Sequence, residues 1–220
     1  MKSGQKLSLS LINEDDIVEV CRLMKAANAT FAKMQLPEIY AAICSDALHR
    51  HDVVLAVAKI DNTVAGYSLS IIDRRRYWRS YLFRYPLLTV KITNNLLLKK
   101  ITSFHKVKHQ AASLDQSLEK FVNIVPAKRS WQDSSSSTAK LLHIYVSEHA
   151  RGRSIGLKLI LYTFKILKDR NVSRVDIMIR IDNNNISSIK MNRKAGWEFS
   201  RTGDYLFGTI DLKKTLEFDK

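Results

Sequence analysis

The sequence predicts an α/β chain, with a mixed central sheet and helices on its faces. Three observations predict it. Strand-like and amphipathic helical runs follow one another as strand, helix, helix, strand, strand, and then, past a long intervening stretch, strand, helix, strand, helix, strand, strand. One of these strands, ending at Val146, runs straight into a short basic turn holding Gly152, and a helix follows at once. The 220 residues, 45% of them hydrophobic, are enough for one domain with a sizeable core.

Residues 6–12 alternate and read as the first strand. Asn13 is placed as a helix N-cap, and Glu14, Asp15 and Asp16 suit the positive start of the helix that follows. Ile17, Val20, Cys21 and Met24 then recur at helical spacing. Pro37 opens a second helix, where its missing N–H does no harm, and Ile39, Ile43 and Leu48 supply core contacts. Residues 53–60 and 63–72, joined by Asp61-Asn62, read as a hairpin. Beyond residue 138 come a strand (140–146), a helix (153–170), a strand (174–181), a helix (185–195) and a final pair of strands (197–201 and 204–212). The 153–170 helix carries a core stripe of Ile155, Leu159, Tyr162 and Ile166, and Gly196 sits where a helix C-cap belongs.

Residues 74–138 stand apart. From Arg74 to Leu114 there are ten Lys or Arg residues and no Asp or Glu, a large share of a net charge of +15. Tyr77, Trp78, Tyr81, Leu82, Phe83, Tyr85, Leu87 and Leu88 interleave with them. Such a mixture, folded as helix, describes either an excursion packed on its own domain or an interfacial membrane helix. The ten positive charges imply an anionic partner, either acceptor or membrane, and Tyr81, Phe83 and Tyr85 alternate in a way that a solvated loop would not need. Net charge of this kind speaks to partners and not to fold.

The strand-to-turn-to-helix junction carries the chemistry. Backbone N–H groups of the turn and the first N–H groups of the helix converge, and the helix dipole adds positive potential. Arg151 and Arg153 add charge, and Gly152 and Gly156 allow close approach of a ligand. The junction reads as a site for a phosphate or pyrophosphate. It has neither a Gly-x-Gly-x-x-Gly nor a Gly-Lys-Ser/Thr motif.

Two segments in this order, 143–157 and 185–199, resemble the GNAT superfamily of acyl-CoA-dependent N-acetyltransferases. The family's first motif, Arg/Gln-x-x-Gly/Ala-x-Gly/Ala after a strand ending in Val, falls on Arg151, Ser154 and Gly156, with Val146 as the strand residue. Its second, Asn, then a small residue three positions on, then Tyr, then Gly-Phe, falls on Asn185, Ser188 and Gly196-Trp197. The resemblance covers residues 139–212 firmly and the first 73 loosely. Two positions depart from it: Ser154 stands where the family most often has Gly, and Asn192 where many members carry the Tyr proposed as general acid. A free thiol has a pKa of about 8.5, so loss of that Tyr weakens the mechanism carried over without excluding catalysis.

The resemblance implies the GNAT fold, a mixed sheet with flanking helices forming a single domain, with 74–138 an insertion between the third and fourth strands. It implies acetyl-CoA as co-substrate, its pantetheine arm along Ile144, Tyr145 and Val146, its pyrophosphate on Arg151, Gly152, Arg153, Ser154, Ile155 and Gly156, with Asn185 and Ser188 close by. It implies direct transfer of the acetyl group to a primary amine. His143, sharing a strand face with Tyr145, is a candidate general base. Glu148 at the mouth of the turn is a second, and Tyr205 a candidate replacement acid.

The expected acceptor is a small anionic amine, such as a nucleotide-linked or lipid-linked amino sugar. The alternative is a binding module that holds RNA, protein or an anionic membrane surface without turnover; nucleic acid is not the expected partner. No metal site is expected, and His49-Arg50-His51-Asp52 reads as a surface cluster at a helix end. Cys21 and Cys44 read as reduced, partly buried thiols. With no run of about 18 apolar residues and no signal peptide, the expected location is the cytoplasm, with peripheral contact at an anionic membrane.

Overall fold

The computed structural model describes residues 6–27, 38–91, 93–94, 137–181, 186–203 and 205–215. Its elements are β1 (Leu7–Leu11), α1 (Ile17–Ala27), α2 (Glu38–His49), β2 (Val53–Ile60), β3 (Thr63–Ile72), α3 (Arg74–Arg84), β4 (Thr138–Val146), α4 (Ile155–Asp169), β5 (Arg174–Arg180), α5 (Ile186–Lys194), β6 (Glu198–Thr202), β7 (Tyr205–Asp211) and a closing turn of helix, α6 (Leu212–Thr215). The strands form one seven-stranded sheet in the order β1-β2-β3-β4-β5-β7-β6. Every neighbouring pair is antiparallel except β4 and β5. This is the mixed sheet with flanking helices that the sequence predicts.

Local chemistry explains the element boundaries. Asn13 and Asp16 form a reciprocal capping box at 3.1 and 3.2 Å, closing a single 3-10 turn that leads into α1. Asp61 and Asn62 both take positive φ, 50° and 67°, as a two-residue hairpin turn between right-twisted strands demands. β4 starts at Thr138, two residues earlier than the pattern predicts, because Thr138 and Ala139 pair with Arg174 and Val175.

Helices cover both faces. α1 and α2 close one face over Leu55, Val57, Tyr67, Leu69 and Ile71. α4 closes the other, and its buried stripe is Ile155, Leu159, Ile160, Thr163, Phe164 and Leu167. Tyr162 and Ile166, expected in that stripe, lie at its half-buried margin. The stripe is wider than predicted because α4 packs on β2, β3 and β4 together. Phe164 meets Trp197 edge-on at 4.9 Å between ring centres, an aromatic contact of about 1 kcal/mol. Cys21 and Cys44 are free thiols, their sulfurs 3.8 Å apart between α1 and α2.

β3 ends at Ile72 and α3 begins at Arg74, at the start of the basic stretch. Helical periodicity, not alternation, orders its aromatics. Tyr77 and Tyr81 are buried and Tyr85 is half-buried, so these three face inward at four-residue spacing, whereas Phe83 faces outward. Tyr81, Phe83 and Tyr85, which alternate in the sequence, thus do not share a face. The inward face is tied to α2: buried Asp46 accepts from Tyr77 Oη at 2.9 Å and Tyr85 Oη at 3.3 Å, and pairs with Arg84.

Candidate active site

The site begins with a strand that parts from its neighbour. β4 and β5 pair from Thr138–Leu141 against Arg174–Ile177 and no further. β4 continues to Val146 and β5 to Arg180, so a wedge opens between them. The cause is visible in the β3–β4 register, where Leu69 faces His143 but Ser70 faces Leu141. Leu142 is the extra residue of a β-bulge, which bends the strand at that point. The bulge also inverts the alternation. Leu141 packs with the α4 side of the core, whereas Tyr145 packs on the α1–α2 side and Ile144 on the α4 side.

His143 and Tyr145 share a face, as the sequence predicts, and both rings meet Tyr67 of β3, at 5.5 and 6.3 Å between centres. Tyr67 Oη lies 2.8 Å from His143 Nδ1. Burial pushes the His143 pKa down to about 4 from an ordinary 6.5. It pushes the buried Tyr67 phenol well above its usual range. Both groups are therefore neutral at pH 7. Tyr67 escaped the sequence reading, because only the bulged register brings its ring against His143.

Past Val146 the chain turns. Ser147 anchors it, with both its N–H and its hydroxyl donating to the Ala65 carbonyl at 2.9 Å. A single 3-10 turn, Glu148–Ala150, precedes Arg151. Gly152 and Ser154 take φ of +78° and +57°. The left-handed conformation is easy for Gly152 and costs Ser154 about 1–2 kcal/mol. No side chain caps α4. The first N–H groups of a helix have no i−4 partner, which makes such an end suited to an anion. Arg151 donates to the Val146 carbonyl at 3.2 Å and stands 5.8 Å over the Tyr145 ring. Glu148 is exposed, 3.8 Å from Arg151.

Gly156 has a different reason from the one expected. It lies within α4, is not among the residues of positive φ, and a Cβ there would run into Met191 Sδ of α5. Its smallness sets the closeness of the two helices. On α5, Ser188 is half-buried and Asn192 fully buried. Asn192 Nδ2 donates to the Ser188 carbonyl at 2.8 Å and Ser188 Oγ at 3.3 Å, and its Oδ1 has no partner among the described residues. Asn185 lies outside the described residues. Tyr205 is exposed at the start of β7, opposite Arg180 of β5 and Thr202 of β6. His143 therefore stands on the β4 arm of the wedge, whereas Tyr205 stands on β7, one strand beyond the β5 arm. Among the described residues there is no cluster of three metal-ligating side chains.

The described geometry is thus a wedge between two parallel strands and an uncapped helix start flanked by arginines. The acetyltransferase (GNAT) family model matches residues 111–197. Solved structures share the fold at low identity. The PaiA N-acetyltransferase of Thermoplasma acidophilum, in complex with coenzyme A, is 12% identical with a TM-score of 0.55 over 94% of this chain and 99% of that one. An N-acetyltransferase from Staphylococcus aureus Mu50 is 14% identical with a TM-score of 0.56 over 94% and 99%. An acetyltransferase from Salmonella typhimurium, with its cofactor acetyl-CoA, is 10% identical with a TM-score of 0.53 over 94% and 95%. No curated protein matches the sequence. The family model thus matches 111–197, under half of the chain, and the solved structures show that the fold is shared.

Proposed function

We propose that this chain transfers the acetyl group of acetyl-CoA to a primary amine. The parting of β4 from β5 directly above the uncapped start of α4 carries the reading. The residues present fit such a co-substrate. The unpaired β5-side edge of 143–146 suits the amides of a pantetheine arm, and the α4 N–H groups with Arg151 and Arg153 suit a pyrophosphate. The thioester, once bound, supplies an acyl group already activated for attack.

The chain's own work is then positioning and proton handling. Residues 144–146 and the 151–156 turn hold the donor, with Ser188 and Asn185 as further contacts. His143 takes a proton from the incoming amine, and Glu148 is the alternative base at the mouth of the turn. Asn192 has no acidic proton to give, so Tyr205 is the candidate acid for the departing thiol. For the acceptor we keep the class that the sequence suggests, a small anionic amine such as a nucleotide-linked or lipid-linked amino sugar.

Two measurements test this. Acetyl-CoA at a hundred times its Kd should stabilise the protein by about 2.7 kcal/mol in a thermal-shift titration. Thiol release should then appear with at least one member of an amine panel that includes amino sugars. No stabilisation refutes the binding site. Stabilisation with no release by any amine favours the binding module without turnover.

A further inference from the structure

We infer that the outer face of α3, with the helical turns at 86–91 that follow it, docks on an anionic phospholipid surface. This face turns away from the Tyr77–Tyr81–Tyr85 stripe, with Trp78 at its margin, where its ring meets Tyr77 and Tyr81 edge-on at 5.3 Å between centres. It carries Trp78, Leu82 and Phe83, continued by Leu87 and Val90, all exposed; Phe83 is 86% and Leu87 80% exposed. These are five of the eleven large exposed hydrophobic residues among those described, gathered within thirteen positions. Arg76 and Arg79 stand among them, both exposed, with no acidic residue on α3. Large apolar side chains in one patch mark an interaction site rather than ordinary surface. A helix presenting Trp, Phe and Leu together with arginines matches the layered chemistry of a headgroup region, phosphate outside and hydrocarbon beneath.

Charge selects the occupant. A second copy would bring the same arginines face to face. Residues 95–136 of this chain carry seven basic against three acidic residues, so they repel this face as well. Nucleic acid would satisfy the arginines, but Leu82, Leu87 and Val90 offer nothing to phosphates or base edges. A bilayer with anionic headgroups satisfies both sets. α3 leaves β3 beside Ile72, which pairs with Ala139, whereas the 151–156 turn follows Val146. Seven strand residues separate these ends, about 23 Å, so lipid contact and the turn do not compete.

The test is flotation of the full chain with vesicles of phosphatidylcholine holding about one-third phosphatidylserine. Wild type should bind at about 0.05 M salt, and at least tenfold more weakly at about 0.5 M salt or on phosphatidylcholine alone. Phe83→Ser with Leu87→Ser, and Arg76→Gln with Arg79→Gln, should each weaken binding at least about tenfold. All four side chains are exposed, so melting temperatures should stay near wild type. Quenching by brominated lipid should fall in Trp78→Phe. Absence of wild-type binding overturns the assignment, as do both double variants binding like wild type. Self-association in sedimentation equilibrium that Phe83→Ser with Leu87→Ser relieves would assign the face to a second copy. Polyuridylate retention lost in the same variant would assign it to RNA. Either result overturns the lipid assignment.

Discussion

Tyr67 Oη and His143 Nδ1 stand 2.8 Å apart with their rings stacked, 5.5 Å between centres and 17° between planes. This contact joins β3 to the arm of β4 that borders the wedge. If the phenol donates to Nδ1, the imidazole proton sits on Nε2 and His143 cannot accept another there. If Nδ1–H donates to the phenol oxygen, Nε2 is free to accept. Only the second arrangement makes His143 a base, so Tyr67 decides which role the imidazole can take.

The first prediction concerns stability and pH. The folded-state pKa of His143 lies near 4 and its unfolded value near 6.5. The unfolded chain therefore takes up the proton first as pH falls. Stability is full above pH 6.5 and is lost on the way down to 4. The loss by pH 4.5 is about 2–3 kcal/mol from this one group. Denaturant titrations at pH 7.5 and 4.5 should show a smaller difference in His143→Gln by that amount. An identical difference in the two proteins shows that the imidazole is not held neutral.

The second separates catalysis from packing. With His143 as base, His143→Ala should lower kcat about 100-fold and leave acetyl-CoA affinity unchanged by calorimetry. Tyr67→Phe, which frees the tautomer, should lower kcat less, about tenfold. The acid limb of the wild-type kcat profile should lie well below pH 6.5. A limb at 6.5 that survives in His143→Ala assigns the base elsewhere, with Glu148→Gln as the next variant.

Arg151 and Gly156 should fail in different ways. Arg151→Glu sets a negative charge beside the α4 start and should weaken acetyl-CoA at least about tenfold, near 1.4 kcal/mol, with little change in melting temperature. Gly156→Ala drives a methyl into Met191 and should cost about 1–3 kcal/mol of stability. Adding Met191→Ala should recover part of the Gly156→Ala loss. If Gly156→Ala keeps full stability and loses only affinity, its role is at the ligand after all.

Ser154 holds a backbone conformation that glycine adopts freely. Ser154→Gly relieves about 1–2 kcal/mol of strain, and glycine's extra unfolded-state freedom offsets about 0.5–1 of it. A net gain of about 0.5–1 kcal/mol should appear in urea titrations. A loss of stability would mean that the Ser154 hydroxyl supports the turn in a way its geometry does not show.

The sequence by itself determined the order and type of nearly every described element. It also placed the turn at 151–154. These features are local: Asn13 with Asp16, Asp61-Asn62, and the apolar periods of 53–72 and 155–169 act on their own neighbours in the chain. Arg151, Gly152 and Ser154 were legible because a basic turn between strand and helix is a sequence-local motif. The tertiary structure decided what depends on strands far apart in sequence. One extra residue at Leu142 turned His143 toward Tyr67 and ended the pairing of β4 with β5, and no period in the sequence marks that bulge. Burial then moved the His143 pKa. Packing against Met191 gave Gly156 a reason other than backbone freedom, and Asp46 on α2 fixed which aromatics of α3 face inward. Each of these is set by what a side chain meets across the fold, which neither its neighbours in the chain nor its spacing can specify.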